Sequence, residues 1–134
     1  QFDDVYKFNA GTFNEADNTW TGQYELILDG STWLEGWQAT TEGCGAPVEP
    51  HDASNAPFTY TVDLINKTVT LTGIGAYMGL PKVYNGGELS ATNKEYPESI
   101  TYQYVYIEGG SNDDIAIFQV EPPNMAWKFK FVKK

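Results

Sequence analysis

Apolar and polar residues alternate with a period of two along most of the chain. Residues 60–73, YTVDLINKTVTLTG, contain two alternating runs on either side of a turn at Asn66-Lys67. Residues 99–120, SITYQYVYIEGGSNDDIAIFQV, contain two more runs, joined through the polar stretch at 109–113. Because successive side chains of a β-strand point to opposite faces, each pair of runs predicts a β-hairpin with one buried and one exposed face.

Strands are also predicted outside these hairpins. Residues 5–13, VYKFNAGTF, predict a strand that enters a tight turn at 9–11, and residues 19–28, TWTGQYELIL, predict the next strand. Residues 31–38, STWLEGWQ, are predicted as a strand because threonine, tryptophan and glycine disfavour a helix. Residues 126–132 alternate aromatic and lysine side chains and predict a closing strand. Since no segment keeps a period of 3.6, we expect an all-β antiparallel barrel or sandwich of seven to nine strands with little helix.

Two long segments, residues 39–57 and 73–99, do not alternate and are predicted as loops. The second contains a short apolar piece, AYMGLPKVY, at 76–84. Two interpretations of this piece stay open. It carries ligand-recognising side chains on a rigid β scaffold, or it is a core plug with Met78 and Leu80 inside.

The composition limits the classes of function. The 134 residues are expected to form one β domain, residues 1–134, with a formal net charge of −10 and lysine as the only cationic side chain. Nucleic-acid and polybasic membrane binding both need a basic patch, so neither partner is expected, and no apolar run approaches the ~18 residues of a membrane span. The acidic, aromatic-rich composition and the start at Gln1 favour a secreted or cell-surface protein, from which this domain is trimmed.

Few residues are available for cofactor or acid–base chemistry. Cys44 is the single cysteine and His51 the single histidine, which excludes an internal disulfide, a cysteine-cluster zinc site and a histidine-rich metal site. Catalytic triads form by geometry and not from neighbours in sequence, so a triad at His51 and Asp52 is not expected. Two interpretations stay open: these residues belong to a solvated loop without a function, or they are hydrogen-bonding loop residues of the binding site. The acidic steps Asp3-Asp4 and Asp113-Asp114 suit a structural calcium ion only weakly, so no cofactor is expected.

The stretch STWLEGWQ carries the chemistry of most interest. On a strand, Trp33, Glu35 and Trp37 share one face, with the two rings roughly 7 Å apart. Tryptophan rings stack on the apolar face of a sugar, and a glutamate between them accepts hydrogen bonds from hydroxyl groups. The alternative is that both tryptophans are core and that Glu35 is paired with a lysine. An unpaired glutamate between two buried rings is costly, which favours a partly wet groove.

Several motifs together resemble a known family. They are DDVYKFNAGTF, WLEGWQ followed by CGAPVEPHD, GIGAYMGLPK with NGGEL, and the terminal WKFKFVKK. The family consists of accessory, lipocalin-like domains of secreted, multidomain glycan-processing proteins from marine Bacteroidetes and related bacteria, often beside β-glucanase modules. The resemblance implies an all-β domain without catalysis that binds carbohydrate. Members carry a tryptophan-bearing strand and a cysteine before the FDD stretch; this chain lacks both, which implies that the natural partner of Cys44 belongs to that leading segment.

The sequence therefore predicts a non-catalytic carbohydrate-binding module attached to other domains, with a polysaccharide or oligosaccharide as its partner. The preference for a β-glucan comes from the resemblance. The candidate binding residues are Trp33, Glu35, Trp37, Gln38, His51, Asp52, Tyr77, Asn85 and Glu88. Two alternatives stay open: a lipocalin-like binder of a small apolar ligand, with an interior lined by Tyr102, Tyr104 and Phe118, and a structural or adhesion module without a ligand.

Overall fold

The computed structural model of the chain describes residues 3–39, 41–108 and 114–133, and for residues 106–108 it describes the backbone alone. These residues form twelve β-strands and no helix, which confirms the predicted all-β class. The strands are β1 (Val5–Phe8), β2 (Thr12–Asn14), β3 (Thr19–Ile27), β4 (Thr32–Leu34), β5 (Gly43–Gly45), β6 (Phe58–Asp63), β7 (Thr68–Thr72), β8 (Val83–Tyr84), β9 (Gly87–Glu88), β10 (Ser99–Glu108), β11 (Ile115–Val120) and β12 (Trp127–Val132).

One antiparallel sheet of eight strands dominates the molecule. Its strand order is β1-β3-β6-β7-β10-β11-β12, and β2 pairs with β3 beside β1. The sheet is curled into a half-barrel. β4 pairs with β5, and β8 pairs with β9, to form two small two-stranded sheets. The half-barrel thus has two margins, one formed by β1 and β2 and the other by β12.

The alternation of the sequence corresponds to the two faces of the main sheet. β6 and β7 form the predicted hairpin, and Lys67 in their turn has a positive φ of 55°. β10 and β11 form the second hairpin, with a β-bulge between Tyr104 and Tyr106; the predicted turn at 109–113 lies outside the described residues. Threonines occupy much of the outer face. Tyr60 on β6 and Leu71 on β7 face the core, together with the residues two positions before each of them.

The prediction that residues 31–38 form one strand is wrong beyond Leu34. β4 ends there, and the chain turns at residues 36–38. The Gln38 N–H donates to the Glu35 carbonyl over 2.8 Å, and the Glu35 N–H donates to the Gln38 side-chain oxygen over 3.1 Å. These two bonds satisfy backbone groups within the turn, so the chain leaves the extended conformation. The strand argument for a shared face of Trp33, Glu35 and Trp37 therefore fails.

The predicted strand at 5–13 is divided by a one-residue bulge. Phe8 pairs with Tyr24, whereas Phe13 pairs with Trp20, so five residues of one chain span four of the other. The bulge at residues 9–11 brings Phe13 onto the same face of the sheet as Phe8. The Tyr60 hydroxyl donates to the Asn9 carbonyl over 2.7 Å and holds this bulge in place.

The concave side of the half-barrel is filled by the apolar piece that follows β7. Tyr77 and Met78 are 0% and 1% exposed. The Tyr24 hydroxyl donates to the Tyr77 carbonyl over 2.5 Å, and the Met78 N–H donates to the Tyr102 hydroxyl over 3.0 Å. Burial raises the pKa of both phenols, Tyr24 and Tyr102, well above the ordinary value, so they remain protonated donors. Tyr77 and Met78 therefore plug the core, as the second of the two interpretations expects, while recognition by the less buried end of the piece stays a prediction.

The plug also determines what the interior can hold. Gly79 has a φ of +81°, and a Cβ there would lie 2.3 Å from the Phe129 ring, so the backbone approaches β12 closely only because the residue is glycine. Tyr102 is fully buried, Phe118 is 8% exposed, and Tyr104 is half-buried. Tyr102, one of the residues predicted to line an open interior for an apolar ligand, is instead covered by the plug, whose Met78 N–H bonds its hydroxyl. No helix in the described part of the chain is long and apolar enough to cross a membrane.

Candidate functional site

Charged and tryptophan side chains from distant parts of the chain meet beside the plug. The Trp33 indole Nε1–H donates to Glu35 Oε1 over 3.2 Å. Lys82 Nζ lies 3.2 Å from the other oxygen of the same carboxylate, Glu35 Oε2. Glu35 is therefore held by a neutral donor on one side and a cation on the other.

The second half of the group lies on β9 and β12. Lys82 Nζ is 5.7 Å from the centre of the Trp127 ring, within the range of a cation–π contact. The Trp127 Nε1–H donates to Glu88 Oε1 over 2.9 Å. We call Trp33, Glu35, Lys82, Glu88 and Trp127 the tryptophan–carboxylate cluster.

Local structure explains why these side chains converge. β4 ends at Leu34 and turns at once, which directs Glu35 inward. The Val83 N–H donates to the Leu80 carbonyl, and the Leu89 N–H donates to the Lys82 carbonyl, so the plug leads into the β8–β9 pair and carries Lys82 and Glu88 with it. Trp127 is the first residue of β12, and its ring is stacked at 8° to that of Phe129.

The cluster is half-buried, which strengthens its electrostatic contacts. The Glu35 and Lys82 side chains are 9% and 22% exposed. Charges removed from water interact more strongly but lose hydration, so each of them needs its partner to be stable. This is the lysine pairing that the sequence offered as the alternative for Glu35.

The cluster still has hydrogen-bonding capacity. A lysine ammonium has three N–H donors and a carboxylate accepts at two oxygens. Among the residues that the structure describes, Lys82 uses one donor, on Glu35, and the Glu88 side chain uses one oxygen, Oε1. Two donors and one carboxylate oxygen therefore stand beside the Trp127 ring without a bond to the described protein atoms.

His51 lies in a buried layer next to the cluster. It is 4% exposed, and its ring meets the edges of Tyr77 and Tyr96, each with a centroid distance of 5.6 Å. The Gln38 amide Nε2 lies 3.4 Å from His51 Nδ1. Burial lowers the pKa of His51 to about 4, so the imidazole is neutral at pH 7. We assign it a structural role, tying the segment that follows β5 to the plug.

The other predicted site residues have identified positions. Asp52 is half-exposed and accepts bonds from the Ser54 N–H and hydroxyl, which lower the pKa of its carboxyl group. Tyr77 is buried within the plug. Asn85 is bonded to both the N–H and the carbonyl of Thr101 and so extends the edge of β10. Their side-chain groups are thus engaged within the fold.

Trp37 and Gln38 lie in the turn that follows Glu35. Trp37 is half-buried in the turn after β4, and Gln38 connects the Glu35 backbone to His51. Of the nine candidates, Trp33, Glu35 and Glu88 belong to the cluster itself. Lys82 and Trp127 are missing from the candidate set, although the alternation of 126–132 puts Trp127 on the core face and a half-buried carboxylate calls for a cation.

The cluster unites four of the motifs that carry the family resemblance. WLEGWQ contains Trp33 and Glu35, GIGAYMGLPK contains Lys82, NGGEL contains Glu88, and WKFKFVKK contains Trp127. Cys44 is exposed and lies directly opposite Trp33 in the β4–β5 pair. Within residues 3–39, 41–108 and 114–133, no three His, Cys, Asp or Glu side chains are grouped as metal ligands.

Comparison of the chain with protein families, with curated proteins and with solved structures finds no match. The family resemblance stays a prediction that rests on the motifs quoted above.

Proposed function

We propose that the chain is a non-catalytic carbohydrate-binding domain of a secreted or cell-surface protein, and that it binds a neutral polysaccharide such as a β-glucan at the tryptophan–carboxylate cluster. The supporting observation is the group of half-buried indole rings beside two Lys82 donors and one Glu88 oxygen that bond no protein atom among the described residues. Rings that stack on a sugar and fixed polar groups that bond its hydroxyls are the two components such a site needs.

The cluster is also preorganised. Glu35 and Trp33 fix each other, and Lys82 is held between Glu35 and the Trp127 ring. A ligand that meets groups already fixed in place loses less conformational entropy on binding than one that must order them. Loops on a rigid β scaffold frequently carry recognition, and Glu35, Lys82 and Trp37 all lie in connecting segments.

The proposal excludes hydrolysis. His51 is buried and neutral, and the Glu35 carboxylate is already occupied by its contacts with Trp33 and Lys82. We therefore expect no release of reducing sugar from a soluble β-glucan. Release that a Glu35→Gln or Glu88→Gln change abolishes would establish catalysis instead.

The test compares three variants with the unchanged protein by affinity electrophoresis in a soluble β-glucan gel. Trp37→Ala removes a ring beside the cluster and should weaken binding by roughly tenfold, the loss of one stacked ring. Glu88→Gln keeps an acceptor for Trp127 but changes the oxygen offered to the sugar, and it should also weaken binding. Val132→Ala, at an exposed position on β12, is the matched control and should bind like the unchanged protein.

Cys44 provides a second readout at the same place. It is exposed opposite Trp33, so a glycan bound at the cluster should slow its alkylation by iodoacetamide. Two results together would show that the cluster is not a glycan site. The β-glucan gel would retard the three variants as much as the unchanged protein, and the glucan would leave the alkylation rate of Cys44 unchanged.

A further inference from the structure

Three aromatic side chains are exposed at the β1–β2 margin of the half-barrel. Phe8, Phe13 and Trp20 are 37%, 36% and 41% exposed. The Phe13 and Trp20 rings lie 5.2 Å apart and are tilted by 37°, and Phe8 lies 5.1 Å from the Tyr60 ring. We call Phe8, Phe13 and Trp20 the exposed aromatic surface. Among the described residues, these three rings make no ring–ring contact with the tryptophans of the tryptophan–carboxylate cluster.

The backbone is built so that these rings share one face. The bulge at residues 9–11 shifts the register by one residue, and without it Phe13 would point to the convex side, away from Phe8. Gly22 has no side chain, and a Cβ there would lie 2.7 Å from the Tyr60 ring. Tyr60 therefore lies over β3 and reaches the bulge, the Phe8 ring contacts Tyr60, and the register places Phe13 and Trp20 on the same concave face.

We infer that the exposed aromatic surface is a second glycan-binding surface, so that the domain holds a polysaccharide at two places. This inference rests on the proposed function in taking the ligand to be a glycan. Phe13 and Trp20 contact each other and Phe8 lies on the same face, and exposed aromatic groups brought together in this way are typical of an interaction site. Asn14 ends β2, and the turn that joins β2 to β3 contains Glu15, Asp17 and Asn18 beside Phe13 and Trp20; the amides and carboxylates of these residues suit hydroxyl groups.

The negative charge of the chain limits which partner the exposed aromatic surface can bind. The chain has a formal net charge of −10, and Glu15 and Asp17 lie in the bordering turn, so an anionic membrane or a nucleic acid is repelled. A second copy of the chain carries the same charge and is repelled as well. A neutral, hydroxylated chain such as a β-glucan meets neither obstacle and offers apolar ring faces to Phe13 and Trp20.

Two surfaces on one domain have a measurable consequence. When a long polymer occupies both, binding at the second surface is intramolecular, and the affinity for the polymer exceeds that for a short oligosaccharide. Loss of either surface should return polymer binding to the level of a single site.

The experiment uses the whole chain with Trp20→Ala and Phe13→Ala. Ile27→Ala is the matched control, because Ile27 is also 41% exposed and lies on the opposite face of the same strand. Both aromatic variants should lose roughly tenfold in affinity for a long soluble β-glucan, while Ile27→Ala loses nothing. Trp20→Phe keeps a ring and should retain most of the affinity, which separates lost stacking from lost folding.

The outcomes distinguish this inference from the proposed function. If Glu88→Gln weakens polymer binding and both aromatic variants bind like Ile27→Ala, the cluster binds glycan and the second surface does not. If the aromatic variants alone weaken binding, the second surface stands and the cluster proposal fails. Concentration-dependent dimerisation in sedimentation velocity, abolished by Trp20→Ala, would assign the surface to self-association and overturn the inference.

Discussion

The tryptophan–carboxylate cluster and the exposed aromatic surface place aromatic rings in opposite environments. In the cluster, both Trp33 and Trp127 donate their indole N–H to a carboxylate, and a lysine lies between them. On the exposed surface, Phe13 and Trp20 contact each other and are more than a third exposed. The first arrangement fixes polar groups in a low-dielectric setting and suits selection of one sugar geometry. The second offers exposed ring faces beside a polar turn and suits tolerant stacking.

This difference predicts that changes in the cluster affect stability strongly, whereas changes on the exposed surface affect it little. Four predictions test the contrast, beginning with the largest expected effect.

Lys82→Met should destabilise the fold by about 3 kcal/mol, because it leaves the Glu35 carboxylate without its cation while Glu35 is only 7% exposed. Urea unfolding monitored by tryptophan fluorescence measures this loss. The double variant Lys82→Met with Glu35→Gln removes the uncompensated charge and should recover most of the stability. A loss below about 1 kcal/mol in the single variant would place Glu35 in water instead.

Acidification should destabilise the protein through His51. Burial lowers the pKa of His51 to about 4 in the folded state, against 6.5 when unfolded, so the unfolded chain binds more protons between these values. The stability contributed by neutral His51 is complete above pH 6.5 and decreases as the pH falls towards 4, by about 2 kcal/mol between pH 6.5 and pH 5.

A His51→Gln variant serves as the control for this pH dependence. Glutamine does not titrate, so the slope of unfolding free energy against pH over the same interval should be nearly flat. An unchanged slope in the variant would assign the pH dependence to carboxylates and remove His51 from the account.

Gly22→Ala should cost about 1.5 kcal/mol, because the new methyl group overlaps the Tyr60 ring and disturbs its bond to the Asn9 carbonyl. Thermal unfolding of this variant beside Thr21→Ala, which alters the exposed neighbour on the outer face, measures the effect. Equal melting temperatures for the two would mean that the ring does not lie over Gly22.

Trp20→Ala should change stability least, by about 1 kcal/mol or less, since the ring is 41% exposed. Ile27→Ala is again the control, and both should unfold close to the unchanged protein in urea. A loss of about 3 kcal/mol in Trp20→Ala would show that the ring is part of the core and end the contrast between the two regions.

Alternation predicts the strands because each residue's face follows from its position in the chain. It locates β3, the β6–β7 hairpin and β12 with little error, and it places Trp127 on the core face. It fails at Glu35–Gln38, where a side-chain amide and a backbone N–H satisfy each other locally and bend the chain. Period-two arguments do not include such bonds.

Which side chains of the candidate site contact each other is harder to predict than which residues belong to it. Trp33 and Glu35 stand out from their spacing, but Lys82 is 47 positions from Glu35 and any of the lysines was an equal choice in sequence. The burial of His51 depends on Tyr77 and Tyr96 closing around it from a different segment. The contacts of such a buried or half-buried residue depend on partners that are distant in sequence, and only the three-dimensional fold brings them together.

The resonances of the indole N–H groups test the central claim directly. The chain has four tryptophans, and single Trp→Phe variants assign their signals in a proton–nitrogen correlation spectrum. Titration with a soluble β-glucan oligosaccharide should shift the Trp33 and Trp127 signals together with one common isotherm, because both donate into the cluster, and should shift Trp20 along a separate one. Trp33 and Trp127 signals that do not move when the glycan is saturating would contradict the assignment of the cluster as the glycan site.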